Sequence, residues 1–428
     1  MMKKTLLFLL LLPALLQAQD VANIGVLFDS LKTHPAFFQD SIRVQQANTG
    51  KSMAYSKLYP KLDLFGKYDY SSSAMGMMPL PLDVMASYLH DPSLAQPFSN
   101  NIFRVGASIS MPIFVASIFP MAHKAKLMAK SAQDMQYINL LKNEAVIVGA
   151  NSNLQYMQSL DQALQKKKAS LSKTKEFVEM MVRDGRAPES ALLKINNGLN
   201  QIEIIRNSLA MNREEALSMI QSLTGLRLNA PLEMTQNMDV QADAFRALDP
   251  LRNKMEADMM SFRAEKKKLL PALMLQGRFS SNYANSYNNK QSVHNDYTYL
   301  GVFLKVPIFE KDQYTHIKMS RLDYEYTKTQ FDKMSLDMEA QAVKLQNNLT
   351  IIGRTIELTK ASIKDKEQLL DVAKASFEMD QMPMEDYLKY EDDLVMEKSK
   401  LYKAQAEKWQ TIMKLSVIYG NNIEEIVK

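Results

Sequence analysis

The residues able to do chemistry are few, and no reaction site can be assembled from them. The five histidines, His34, His90, His123, His294 and His316, are scattered without the spacing of a zinc site, and with no cysteine in the chain neither thiolate ligands nor disulfides are available. No G-x-S-x-G, H-E-x-x-H or phosphate-binding glycine loop occurs. The expectation is a protein that is not an enzyme and uses no cofactor. Among 30 methionines, Met75, Met77, Met78 and Met85 cluster near His90. Thioethers suit monovalent copper, but apolar filling of a flexible loop needs no metal. What remains is charge in ordered places: Arg104 and Lys305 inside alternating apolar segments, and Lys194, Asp386 and Lys389 shortly after two proline-containing turns.

Those places are related because the chain is duplicated. Pro112 matches Pro307, Pro188 matches Pro383, Lys194 matches Lys389 and Gly225 matches Gly420, each pair 195 residues apart. Such strict register over more than a hundred residues predicts a long packed rod. Upstream, Pro60 matches Pro271 at an offset of 211, so the first copy carries 16 extra residues between Pro60 and Pro112, the freedom of an exposed loop.

Each copy predicts two strands followed by a helical hairpin. In Phe103 to Ile113 the apolar Phe103, Val105, Ala107, Ile109, Met111 and Ile113 alternate with Arg104, Gly106, Ser108, Ser110 and Pro112. The second copy repeats this with Leu300, Val302, Leu304, Val306 and Ile308 against Tyr299, Gly301, Phe303 and Lys305. Partner segments precede them, with Leu62, Leu64, Tyr68 and Tyr70 on one face of the first and Leu273, Leu275, Phe279 and Tyr283 on one face of the third. The four strands are expected at about 61–72, 102–113, 272–283 and 297–308, with loops at Ser71 to Asn100 and Asn282 to Asn295. A tilted membrane strand needs about 9 to 11 residues, the length seen here. Turning Arg104 or Lys305 toward hydrocarbon would cost roughly 2 to 4 kcal/mol each. The apolar face is therefore assigned to lipid, and the face bearing Arg104, Ser108, Ser110 and Lys305 to a lumen. A soluble sandwich would show the same alternation.

The helical hairpins are expected at about 120–224 and 315–419. Residues 121–183 hold no proline and one glycine, a rod of about 95 Å at the helical rise. Asp184 to Pro188 reverses the chain, and the return helix carries a heptad seam through Leu192, Ile195, Leu199, Ile202, Arg206, Leu209, Arg213, Ala216, Ile220 and Leu223. Tyr387, Tyr390, Leu394, Leu401, Ala404, Leu415 and Ile418 hold these places in the second copy. The return helix is too short to cover its partner, and Pro35 to Tyr59 and Leu248 to Leu270 are expected to complete it in the two halves. The repeats span 19–226 and 248–428, joined by an aperiodic connector at 227–247.

The segment 1–18, with Lys3 and Lys4 before an apolar run, reads as a secretory signal peptide. Without it the formal charge falls from +5 to +3, which points to no nucleic-acid partner. No run of about 18 apolar residues follows, so no helix is expected to span a bilayer. Four strands cannot close a barrel, since about eight is the smallest that works and an open edge in lipid leaves backbone groups unpaired. Several chains must share one barrel. Two chains give eight strands with an interior filled by side chains, and three give twelve with room for a water-filled bore.

In the order and spacing of its motifs the mature chain resembles the TolC-like outer-membrane efflux family of Gram-negative bacteria. The resemblance rests on His34-Pro35, Tyr59-Pro60-Lys61-Leu62, Leu270-Pro271-Ala272-Leu273, MPIF ending at Phe114, VPIF ending at Phe309, and Leu223-Thr224-Gly225. It implies a mixed α and β membrane protein: a homotrimer with a twelve-strand barrel, four strands per chain, continued by a periplasmic α-helical coiled-coil barrel. The implied role is passive, as the outer-membrane channel of a tripartite efflux or export system for small molecules or secreted polypeptide. The implied partners are outer-membrane lipid, a periplasmic membrane-fusion adaptor and, indirectly, an inner-membrane pump of RND or ABC type. Adaptor docking would fall on the tip turns Gly185, Arg186, Ala187 and Pro188 and, in the second copy, Gln381, Met382 and Pro383. There Asp380 replaces the glycine, so the two turns are not expected to be equivalent to an adaptor. Asp386 matches a family position for an acid at the periplasmic constriction, while the next such position is Lys389. Lys194 and Lys389 could form a basic constriction or stand solvated outside. The rival reading is a periplasmic coiled-coil adaptor or scaffold without a pore, and an exported enzyme ranks behind both.

Overall fold

The computed structural model describes residues 22–428 except Pro92 and Asp380. The expected signal segment, Asp380 and the side chain of His90 lie outside the described residues. The described chain runs α1 (Ile24–Thr33), α2 (Pro35–Ser56), β1 (Lys61–Gly76), α3 (Leu82–His90), β2 (Phe98–Phe114), α4 (Ile118–Arg183) and α5 (Glu189–Thr224), then α6 (Asp249–Lys267), β3 (Ala272–Asn285), β4 (Ser292–Lys305), α7 (Lys311–Glu378), α8 (Met384–Tyr419) and α9 (Ile423–Ile426). None of the described helices is long and apolar enough to cross a membrane.

Two compact units emerge, each drawing on both sequence copies. One comprises Arg43–Gln133 and Pro250–Asp332; the other comprises the described residues up to Ile42 with Asp134–Asp249 and Lys333–Lys428.

The first unit contains one antiparallel sheet in the order β1-β2-β3-β4. Sequence neighbours pair as hairpins, and β2 pairs with β3 although a whole helical hairpin separates them in the chain. The strands outrun several of the expected boundaries. Met75 opposes Ser99 and Gly76 opposes Phe98 beyond an irregularity after Tyr70, so part of the expected loop is strand, and Met77 just beyond it is buried. Residues 71–74 have no register partner on β2, so the turn preference of the Ser71–Ser73 run shows as the break in pairing between Tyr70 and Met75. Conversely β4 starts early, at Ser292, and stops at Lys305, short of the expected Ile308. Pro307, which lacks an N–H for the ladder, lies just past its end; Pro112 survives within β2 beside a register shift. Along α4, Lys124 donates to Ser261 of α6 at 3.0 Å and Ser131 to the Pro250 carbonyl at 2.7 Å. Thr327 of α7 donates to Asp258 of α6 at 2.8 Å.

The second unit is held by heptad packing. Ile195, Ile202, Ala216 and Ile220 of the first seam, and Tyr387, Leu394, Ala404, Leu415 and Ile418 of the second, are all buried. α5 and α8 end alike, at Gly225 (φ 75°) and Gly420 (φ 68°), left-handed positions that an L side chain resists. Gly225 lies against His34, the residue before α2, and Gly420 against Arg246, just before α6. The completing segments thus begin where the return helices stop. The connector is anchored: Asn151 exchanges two 2.8 Å hydrogen bonds with the Leu232 backbone, and Thr235 pairs with Lys428 through both backbone groups. A core of α1, α4, α5, α8 and α9 residues, among them Phe28, Leu141, Ile147, Ile220 and Ile423, closes this part.

Candidate functional site

The sheet sorts its side chains by chemistry. Strict pairing places Leu62, Leu64, Tyr68, Phe103, Val105, Ile109, Leu273, Leu275, Phe279, Leu300, Val302 and Leu304 on one face. Much of this face is bare, with Leu64 84% and Leu300 71% exposed. Every lysine and arginine of the four strands lies on the other face: Lys61, Lys67, Arg104, Arg278 and Lys305. Ser108 and Ser110 share that face, opposite Asp63 and Lys61.

The charges there are organised. Lys67 stands directly across from Arg104, and Asp69 bridges them, its Oδ1 2.7 Å from the Lys67 ammonium and its Oδ2 paired with the Arg104 guanidinium. Arg104 also donates to the Gly76 carbonyl at 3.2 Å. Arg278 lies 4.4 Å over the ring of Phe65. A Cβ on Gly106 would collide with that ring and with the Phe279 carbonyl, so the glycine lets Phe65 lie close against the wall. Lys305, at the helix-side end, is 3.8 Å from Glu310.

At the far ends of the hairpins, Gly185 adopts φ 74° and the chain closes through Arg186 N–H to the Met181 carbonyl at 2.8 Å. The second turn makes the homologous bond, Gln381 N–H to the Ser376 carbonyl at 2.9 Å, although it lacks the glycine. Pro188 and Pro383 both sit at N-caps with extended backbone and start the return helices. Gly185, Arg186 and Pro188 are exposed, as are Gln381 and Pro383, while Ala187 and Met382 are half-buried. The two hairpins are joined near these turns. Phe377 packs edge-on to Phe177 and stacks on Tyr387, with centroids 5.6 and 5.1 Å away. The Tyr387 hydroxyl donates to buried Glu391 at 2.8 Å, and Ser170 donates to the same carboxylate oxygen. Burial first, then the charge of Glu391, pushes the Tyr387 hydroxyl up to about 12, so it remains a donor. Lys167 pairs with Asp392, and Lys194 with Glu385. The Lys194 hydrogen bond, reinforced by its charge, holds the Glu385 carboxyl below the usual range.

No family model matches the chain, and no curated protein matches its sequence. Solved structures do match. The outer-membrane protein VceC of Vibrio cholerae superposes with a TM-score of 0.78 at 12% identity, over 93% of this chain and 96% of that one. The Campylobacter jejuni CmeC outer-membrane channel gives 0.75 at 16%, over 93% and 85%. The open state of the Neisseria gonorrhoeae MtrE outer-membrane channel gives 0.72 at 12%, over 93% and 89%. The chain shares the fold of these outer-membrane channel proteins. Within that fold, the strand alternation places Arg104, Ser108, Ser110 and Lys305 together on the polar face. The homologous lysines part company: Lys194 is ion-paired across the hairpins, whereas Lys389 is exposed with no carboxylate at ion-pair distance among the described residues. Asp386 is exposed one residue beyond the Lys194 partner.

Lys67, Asp69 and Arg278 join the expected residues on the polar face. The same period of two that singled out Arg104 would have found them. Unexpected from the sequence is Glu144 of α4, which is 2% exposed with one carboxylate oxygen lacking a hydrogen-bond partner. Nearby, Lys32 of α1 contacts Glu424 of α9 at 2.5 Å. Burial, and then the Glu424 charge, raise the Glu144 carboxyl to about 8 against the opposing pull of Lys32. A lone glutamate in a helical pattern gives no hint of this; only the packing of α1 and α9 against α4 creates it.

Proposed function

We propose that this chain is one protomer of a trimeric outer-membrane channel, the passive exit duct of a tripartite efflux or export system in a Gram-negative envelope. The observation that carries this is a single four-stranded sheet with an exposed apolar face, a charged face, and a long unpaired edge on each of β1 and β4. In lipid each unpaired backbone group costs several kcal/mol, so β1 of one copy must find β4 of another until the sheet closes. A soluble scaffold would have to hold Leu64, Leu300, Val302 and Leu304 against water, which is unfavourable by about 25 cal/mol per Å² of apolar surface. The apolar face meets the outer-membrane lipid, and the polar face lines the bore. The helical hairpins form the periplasmic part, whose tip turns, Gly185 to Pro188 and Gln381 to Pro383, dock a membrane-fusion adaptor that links the duct to an inner-membrane pump.

The protein extracted in detergent is expected to run as a trimer in size-exclusion chromatography with light scattering, and to conduct ions across planar bilayers. A monomer soluble without detergent would defeat the proposal. The tip contacts add a second expectation. Lys194→Glu breaks a link between hairpins and should lengthen the high-conductance state in single-channel records. Combining it with Glu385→Lys should restore the wild-type trace. Identical records for the single and double variants would remove this pair from the gate.

A further inference from the structure

Resting on the channel proposal, we infer that the barrel bore is an anion-preferring filter, set chiefly by Arg278 together with Lys67, Arg104 and Lys305. The polar face of one chain carries five basic side chains and two acidic ones, Asp63 and Asp69, leaving three positive charges in excess. The third acid of the strands, Asp296, stands on the opposite face, where it accepts from Ser281 at 2.6 Å. A closed barrel of three chains would therefore carry nine positive charges in excess on its strands, six once each Lys305 is set against Glu310.

The distribution of acids makes this excess available to solutes. Asp63 is occupied by Lys61 at 3.3 Å, and Asp69 serves both Lys67 and Arg104, so two cations share one carboxylate. Among the described residues no carboxylate lies within ion-pair distance of Arg278, whose partner is the Phe65 ring. An aromatic face steadies a guanidinium without neutralising it. Arg278 is exposed, level with Ser108 on β2 and Tyr299 on β4, away from both ends of the sheet. A ring of such groups inside low-dielectric walls raises the local concentration of anions and repels cations.

The test is the reversal potential of the purified trimer in planar bilayers under a KCl gradient. Low salt is used because the Debye length shrinks to about 10 Å at 0.1 M. Chloride is expected to permeate more readily than potassium by a factor on the order of a few-fold. Arg278→Gln should lower this ratio, and Arg278→Glu combined with Lys305→Glu should invert it, both variants remaining conducting trimers. A wild-type channel that favours potassium or discriminates neither ion overturns the inference, as does a double variant with an unchanged ratio. Absence of any conductance would instead overturn the channel proposal, and this inference with it.

Discussion

Leu64→Arg is expected to abolish assembly of the protein in the membrane. Leu64 is 84% exposed in the isolated chain and lies in the apolar row that continues through Ala107 and Phe279. An arginine facing lipid near mid-membrane costs about 2 to 4 kcal/mol, and a trimer would incur it three times. That total is comparable with the whole stability of an ordinary domain, about 5 to 15 kcal/mol. Leu300→Arg, in the row through Gly277 and Ile109, should behave likewise. Ser108→Arg, on the polar face, should assemble normally, because its added charge meets water. Membrane fractionation and native electrophoresis of the three variants give the readout. Assembly of Leu64→Arg at the wild-type level would mean that this face does not contact hydrocarbon.

The second large effect concerns pH. Glu144 has its folded-state carboxyl raised to about 8, whereas in the unfolded chain it titrates near 4.5. Between these values the folded protein holds a proton that the unfolded chain releases. The associated stabilisation is complete below pH 4.5, falls as pH rises, and is gone above about pH 8. A shift of this size corresponds to on the order of a few kcal/mol per chain. Glu144→Gln keeps the shape and never ionises, so its unfolding should lose this pH dependence. Its melting temperature at pH 8.5 should exceed that of the wild type, with the two converging toward pH 4.5. Thermal melts followed by circular dichroism would decide, and parallel pH profiles for the two proteins would show that Glu144 is not the titrating group.

The tip turns show how far local sequence reaches. Asp380 stands in the second copy where the first has Gly185, which marks the two turns as unlike surfaces for an adaptor, while Arg186 and Gln381 close the backbone with homologous hydrogen bonds. A turn of this kind is held by main-chain bonds and by the proline that starts the next helix, and both copies retain these. The surfaces still differ, since Lys194 is consumed by Glu385 while Lys389 is not.

What the sequence determined by itself was everything written in a period. Alternation by two assigned Arg104, Ser108, Ser110 and Lys305 to one face, steps of three and four assigned the heptad seams, and the fixed offset of 195 exposed the duplication. Such patterns are legible because a strand or helix imposes its geometry on consecutive residues whatever surrounds them. Only the tertiary structure decided what depends on residues distant in the chain. It paired β2 with β3, joined the hairpins through Phe377, Tyr387 and Glu391, set Arg278 on Phe65 without a counter-charge, and enclosed Glu144 between α1 and α9. Burial and charge compensation come from neighbours in space, and no local period encodes them.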